Sequence, residues 1–453
     1  MNHSFQPNPT TTIRGRIEQQ KLASAIMAME RRLQIYLPPT YAEQPRRHYP
    51  VLYIHYGQRI FEPQRPGDEA WQLHRLVEAL FAEERIEEMI IVGIVAERAT
   101  VDQDYYHYVV PLAGATPGGF TFEAFIVQEL KPFIDGHYRT LSEREHTTMI
   151  GISGSAVGAY LIACHHPQVF GKIGLLSPLT YSLHEKRWLY PTPLPKYDGQ
   201  LWLGMGDAES DFTIAVNDLV DALLAEGFQA GVDFFYTLTP NAGHDDSYWA
   251  NQIIHPLLLF FGKRGATPAE RVGRAVAVEL SGSEQLGVQG APLLVNPYVQ
   301  YETGFCMTAL TGEYSMAQPQ LLTAQPYNRL YGLAAGESAV TFTFDGVTAT
   351  RTYDVKSALS DMVHLHLRAH TPAETPDTEQ IWFGIYPLTR VNAALYEGHF
   401  VFPRNFALYA LFSWGMRKFE QCADGSPRPN RLLRATADAT IDYTIERWSG
   451  LNP

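Results

Sequence analysis

"TTMIGISGSAVGAYLIACHHPQVFGKIGLLSP", residues 147–178, decides the fold. An apolar, partly β-branched run ends at Gly151-Ile152-Ser153 and switches at once to a helix-like stretch, AVGAYLIACHH. A second short strand-like run, KIGLLSP, follows. Ser153 sits on the corner between strand and helix, with Gly151 two residues before it, Gly154 one after and Ser155 two after. Small neighbours are needed where a strand and a helix approach closely around a tight turn. The pattern is nearly G-x-S-x-G, with Ser155 in place of the last glycine. Two readings stand side by side: Ser153 is a nucleophile, with the Gly154 N–H aimed at an oxyanion, or it is only the N-cap of the helix.

The same alternation extends outward on both sides. RRLQIYLP (31–38), PVLYIHYG (50–57), MIIVGIV (89–95), LWLGMG (201–206) and DFFYTLTP (233–240) read as further short strands. EAWQLHRLVEALFAEE (69–84) places Leu73, Leu76, Val77 and Leu80 on one helical face. FTIAVNDLVDALLAEG (212–227) does so with Ile214, Leu219, Leu223 and Leu224 and stops at Gly227. Strands alternating with helices predict an α/β domain with a mostly parallel sheet covered on both faces. After Lys263 the pattern changes to short strands, Gly/Pro turns and few helical windows, which is β-sandwich material. The expected organisation is an α/β domain over residues 1–265 and two β-sandwiches over 270–356 and 357–453, with HTPAETPDTE (370–379) as a surface loop.

In an open parallel sheet, reactive groups collect at the carboxyl ends of the strands. The base expected to serve Ser153 is His244, in PNAGHDDSYW just after the strand 233–240; read alone it is one of sixteen histidines. The acid should lie between them, and LWLGMGDAESD offers Asp207, Glu209 and Asp211. Serine, acid, histidine is the order α/β-hydrolases use. A second oxyanion donor is expected after an early strand. In VLYIHYGQRIF, Gly57 would permit the turn, the Gln58 N–H would point into the site, and Tyr56 and Arg59 are candidates to line the substrate pocket.

Bulk properties narrow the classes. A net charge of −13 without a Lys/Arg tract argues against a nucleic acid or an anionic membrane as partner. The longest apolar runs, such as MIIVGIVA (89–96), are too short to span a bilayer. MNHSFQPNPTTTIRGRIEQQ lacks the basic-then-apolar form of a signal peptide, which points to the cytoplasm and leaves secretion after trimming of a leader open. Cys164, Cys306 and Cys422 are far apart, show no metal-ligand spacing and read as buried thiols in a reducing compartment. No metal or organic cofactor is implied.

On these residues the chain resembles the esterase family of α/β-hydrolases that contains feruloyl and acetylxylan esterases, esterase D and enterochelin esterases. RRLQIYLPPTY with YPVLYIHYGQRIFEP resembles its opening strands and oxyanion loop. FIVQELKPFIDGHYRT (125–140) resembles its helix before the elbow, and IGISGSAVGAYLIACHHPQVFGKIGLLSP its elbow, with the nucleophile on Ser153. The resemblance selects Glu209 in GMGDAE as the acid and His244 in NAGHDDSYW as the base. It implies a serine hydrolase of carboxylic esters, acting on a small molecule or an acylated carbohydrate. The chain departs from the family in Ser155 and Ala156, where two glycines are usual; Ser155 is thereby a rival nucleophile, and the bulk could crowd the pocket.

NRLYGLAAGESAVTFTFDGVTATRTYDV (328–355) resembles the final strands of a bacterial Ig-like group 2 domain, which implies a spacer. FALYALFSWGMRKFEQCADGSPRPNRLL, with Glu420, Gly425, Asn430 and Arg431 in register and a closing IERW, resembles a starch-binding-type carbohydrate-binding module. The aromatic expected four residues before Glu420 is Met416, with Trp414 and Phe419 near, and GIYPLTRVNAALYEG lacks the expected tryptophan. An altered sugar site follows, and the other roles open to the module are to shape the hydrolase mouth or to form a homodimer interface. The competing function classes are a non-catalytic glycan-binding scaffold on a decayed hydrolase, and a hydrolase of thioester, siderophore ester or peptide bonds.

Overall fold

The computed structural model describes residues 13–62, 70–111, 115–182, 185–373, 375–376, 380–415 and 418–450. Eight strands form the first sheet: β1 (Arg16–Ser24), β2 (Met29–Leu37), β3 (Val51–His55), β4 (Ile90–Ile94), β5 (Thr147–Ile152), β6 (Lys172–Leu176), β7 (Gln200–Gly206) and β8 (Phe234–Thr239). Their order is β1-β2-β4-β3-β5-β6-β7-β8. β3 through β8 run parallel, while β2 is antiparallel to both β1 and β4. The swap of β3 and β4 puts β3 and β5 side by side at the centre, so the segments that follow them open at the same edge.

Every residue of β3, β4, β5 and β6 is buried. Successive side chains go to opposite faces: Leu52, Ile54, Ile91, Ile150 and Ile152 join one hydrophobic cluster, Val51, Tyr53, Ile90, Val92 and Met149 the other. Helices cover both faces. Those that matter for the site are α1 (Gly57–Ile60), α2 (Leu73–Ala82), α3 (Gly119–Phe125), α4 (Lys131–His137), α5 (Gly154–His165), α6 (Asp211–Ala225), α7 (Asp246–Gln252) and α8 (Ile254–Phe261). α3 runs into α4 through a π-helical turn over 126–130, so the predicted single helix is three joined pieces. In α2 the predicted face of Leu73, Leu76, Val77 and Leu80 is buried. In α6 the buried face runs through Ala215, Val216, Leu219, Val220 and Leu223, and Ile214 lies 41% exposed instead. β1 was not expected from its sequence. RIEQQKLAS is polar because it is the sheet's edge, half-covered and paired only with β2.

Beyond α8 the chain is almost entirely β. Strands between Ala275 and Lys356 form sheets of three, four and three strands. This region is fastened to the α/β part rather than set apart from it as a spacer: Val299, Phe305, Phe342 and Val355 belong to the same hydrophobic cluster as Trp202, Phe235 and Leu257. The Thr237 hydroxyl donates to Cys306 O (2.9 Å), Leu238 N to Thr308 Oγ1 (2.9 Å) and Asn296 Nδ2 to Leu238 O (2.7 Å), so the edge strand β8 is covered. From Met362 to Trp448 a second eight-stranded sheet and the two-stranded ribbon Ala407–Ala410/Arg431–Arg434 enclose a separate core that includes Leu367, Phe383, Phe412 and Trp448. The three cysteines are free thiols and partly exposed, not buried as expected. Among the described residues no helix is long and apolar enough to cross a membrane.

Candidate active site

Ser153 stands between β5 and α5 with φ 51° and ψ −123°, a conformation that costs a non-glycine residue of order 1–3 kcal/mol. The corner is fixed by Ser153 N donating to Leu176 O (2.8 Å) and Leu179 N donating to Ser153 O (3.1 Å). Tightness explains the small neighbours. A Cβ on Gly151 would lie 2.5 Å from Ser155 O, and one on Gly154 would lie 2.2 Å from the Tyr106 hydroxyl. Ser153 makes no side-chain capping bond to α5, so the N-cap reading of its hydroxyl falls. The hydroxyl instead lies 2.9 Å from Nε2 of His244. Ser155 is fully buried, its hydroxyl accepting from Ile152 N and donating to Ile152 O, both at 2.9 Å. It is therefore spoken for by the backbone, and Ala156 beside it is buried as well.

His244 lies on the loop after β8. Its Nδ1 is 2.6 Å from Oε2 of Glu209, which lies on the loop after β7 with its side chain fully buried. The other carboxylate oxygen, Oε1, accepts from the Ser177 hydroxyl and from Gly206 N, each at 2.7 Å. The Trp249 indole donates to Ser177 Oγ (2.9 Å) and stands edge-on to the His244 ring with centroids 4.8 Å apart, while Phe212 flanks that ring at 5.6 Å. Tyr106, Ser177, Phe212 and Trp249 were not found by sequence reasoning; only the β6–Ser177 strand end gave a signal. Ser177 (φ 46°) and Ser210 (φ 61°) share the left-handed strain of Ser153, and such strain clusters at functional sites.

The competing carboxylates are engaged elsewhere. Asp207 accepts from Arg434 Nη2 (3.1 Å to Oδ2) and from Asn241 N (2.7 Å). Burial pushes its pKa up, against the pull of the Arg434 charge. Asp211 accepts from the Tyr386 hydroxyl (2.7 Å).

The loop after β3 departs from expectation in one respect. The left-handed residue is Tyr56 (φ 57°), and Gly57 is required by close approach, since a Cβ there would lie 2.5 Å from Gly93 C. Gln58 is the second residue of α1, where an N–H has no acceptor within the helix. Its side chain accepts from Ala96 N (3.0 Å) and so pins the loop to the end of β4. Tyr56 packs on Tyr105 (5.5 Å between centroids). Arg59 is paired with Asp246, which also accepts from Trp71 Nε1 (2.9 Å), so its charge is neutralised at the start of α7. Gly154 is the first residue of α5, where an N–H likewise has no acceptor within the helix.

Among the described residues, two groups of side chains away from the elbow have donor sets a metal ion could use: His107, Glu123 and His165, and His366, Glu397 and His399. In the first, Glu123 accepts from His107 Nε2 (2.9 Å), His165 Nδ1 (2.7 Å) and His166 Nε2 (2.9 Å). Burial raises the Glu123 pKa, but these three hydrogen bonds outweigh it and hold the carboxyl at about 2. Met416 lies outside the described residues. Trp414 is buried with Lys418 Nζ 4.5 Å above its ring, so its face is not open to a sugar; Phe419 is 48% exposed. Glu420 is buried and held by Arg431 (2.7 Å), a structural ion pair.

A mostly parallel sheet with a strained serine corner, and with an acid and a histidine on later strand ends, is an α/β-hydrolase arrangement. The chain belongs to the esterase family: the family model described as "Putative esterase" matches residues 24–260. It is 29% identical over 222 residues to an endo-1,4-beta-xylanase/feruloyl esterase of Xylanibacter ruminicola, covering 48% of this chain and 28% of that protein. It is 30% identical over 167 residues to the uncharacterized protein YjcH of Bacillus subtilis, covering 36% and 62%. The chain thus spans less than two thirds of either relative. Among solved structures, a ferulic acid esterase of Anaeromyces mucronatus is 18% identical, with a TM-score of 0.44 over 57% of this chain and 94% of that one. The enterobactin esterase FES of Shigella flexneri is 16% identical, with a TM-score of 0.44 over 53% and 57%.

Proposed function

We propose that this protein is a serine hydrolase of carboxylic esters. The observation that carries the reading is the unbroken relay from the Ser153 hydroxyl to His244 Nε2 (2.9 Å) and from His244 Nδ1 to Glu209 (2.6 Å) at the strand ends. Ser153 Oγ attacks the acyl carbon as His244 takes its proton. The imidazolium, oriented and stabilised by Glu209, returns that proton to the leaving alkoxide. Water, deprotonated in turn by His244, attacks the acyl-enzyme and releases the carboxylic acid with Ser153 reprotonated. The backbone N–H groups of Gly154 and Gln58 serve as oxyanion donors, each worth about 3–4 kcal/mol in the transition state. Family membership and the xylanase/feruloyl esterase relative favour an acyl group carried on a carbohydrate as the substrate class.

Residues 270–356 are read as an Ig-like sandwich and 357–453 as a starch-binding-like one, without a stacking role for the buried Trp414. The function is tested by p-nitrophenyl acetate hydrolysis by wild type and Ser153→Ala, together with fluorophosphonate labelling and mass spectrometry. Wild-type turnover, its loss in the variant and a label on Ser153 are expected. Equal rates for the two proteins, or a label elsewhere, overturn the assignment.

A further inference from the structure

Glu209 and His244 stand on loops that the α/β sheet anchors at one end only. The other side of both loops is held by a two-stranded ribbon, Ala407–Ala410 paired with Arg431–Arg434, some 160 to 230 residues further along the chain. The ribbon adds itself to the acid loop as a strand would. Ser210 N donates to Ala407 O and Tyr409 N to Ala208 O, both at 2.9 Å, so Glu209 and Leu408 form an antiparallel bridge. Its side chains then reach the histidine loop. Tyr409 lies over Gly243, where a Cβ would come within 2.6 Å of Tyr409 Cβ. Arg434 Nη2 donates at once to Asp207 Oδ2 (3.1 Å) on the acid loop and to Asn241 Oδ1 (2.7 Å) on the histidine loop. Just before the second strand, Asn430 Nδ2 donates to Asp245 Oδ2 (3.0 Å), while Asp245 Oδ1 caps α7 through Tyr248 N (2.8 Å).

We infer that this ribbon is a positioning element of the catalytic relay: Tyr409, Asn430 and Arg434 set the separation of Glu209 from His244, and the C-terminal β region works as part of the active site. The inference rests on the serine-hydrolase reading. The physical case is one of tolerance. Misplacing a catalytic group by about 1 Å can cost on the order of 100-fold in rate. Both loops carry left-handed non-glycine residues, Ser210 and Asn241, which persist only where surroundings over-determine them. Arg434 is the one side chain of the ribbon bonded to both loops. Gly243 leaves room for Tyr409 immediately beside the histidine.

The test compares Arg434→Met, Arg434→Lys and Asn430→Ala in the full chain, with Ser153→Ala and Arg368→Ala as references. Arg368 pairs with Glu397 and Asp442 in the same β region, and its replacement is expected to leave the rate unchanged. On p-nitrophenyl acetate, Arg434→Met is expected to lower kcat by about 10- to 100-fold with KM within about twofold. It should slow fluorophosphonate labelling of Ser153 in proportion. A loosened Glu209–His244 pair should also change the pH dependence of kcat/KM relative to wild type. Arg434→Lys should recover part of the rate, and Asn430→Ala should lower it by about threefold or more. A merely structural role would lower the melting temperature and leave the folded protein's pH profile and labelling rate at wild type, which overturns the inference. If Arg434→Met does not fold, the pH profile and labelling rate of Asn430→Ala decide by the same criterion. An inactive Ser153→Ala with ribbon variants at wild-type rate removes this inference alone; an active Ser153→Ala removes the serine reading itself.

Discussion

The hydroxyl of Ser177 donates to Oε1 of Glu209 at 2.7 Å, which leaves Oε2 as the oxygen that meets His244. The acid is therefore not free to rotate, because Gly206 N holds the same Oε1 from the backbone side. Ser177→Ala removes one of these two restraints and leaves the Trp249 indole without its acceptor. A fall in kcat of about tenfold with KM little changed is expected from steady-state kinetics, since a single hydrogen bond to a charged group is worth about 1.5–3 kcal/mol.

Glu209→Gln keeps the shape of the side chain and removes its charge. The amide does not stabilise the imidazolium and presents donors as well as acceptors to His244 Nδ1 and Ser177. A loss of about 10³- to 10⁴-fold in kcat is expected, as for replacing a triad acid by its amide elsewhere. A rate within tenfold of wild type would move the acid's role to another residue.

Gly154→Ala places a methyl group 2.2 Å from the Tyr106 hydroxyl. Something at the elbow must shift, and the Gly154 N–H shifts with it. A fall in kcat of at least about tenfold is expected. Tyr106→Phe introduced with Gly154→Ala removes the clashing oxygen and should restore part of it; no recovery in the double variant would locate the damage elsewhere.

Stability should fall in mild acid. Burial, helped by the Arg31 charge, lowers the pKa of His55 to about 3, and burial lowers that of His255 to about 4. In the unfolded chain both return to about 6.5. Between those values the unfolded state binds more protons, so the full contribution is present above about pH 6.5 and is lost as pH falls towards 4 and 3. Each group steepens the loss by up to about 1.4 kcal/mol per pH unit. Glu123, held at about 2, contributes above its ordinary value and loses that contribution only in stronger acid. Urea unfolding should give a clearly lower midpoint at pH 5 than at pH 7.5. His255→Asn should flatten that difference, since the neutral imidazole accepts from Cys306 N through Nδ1 (3.2 Å) and is lost as a titrating group.

The sequence by itself determined what is local. Seven of the eight strands, the helices α2, α5 and α6 and the serine corner follow from periodicity and from the small residues around Ser153, because strand and helix formation depend on neighbours within a few residues. β1 escaped because an edge strand needs no apolar alternation. Local sequence left three carboxylates open within five residues, and family resemblance favoured Glu209. Tertiary structure separated them: Arg434 and Asn241 engage Asp207, Tyr386 engages Asp211, and Glu209 faces His244. It also tied the expected spacer at 270–356 into a core shared with the α/β part. The reason is distance along the chain. A side chain's orientation on a loop is set by what packs against it, and here those partners arrive from as far as 227 residues away, where no local pattern carries their imprint.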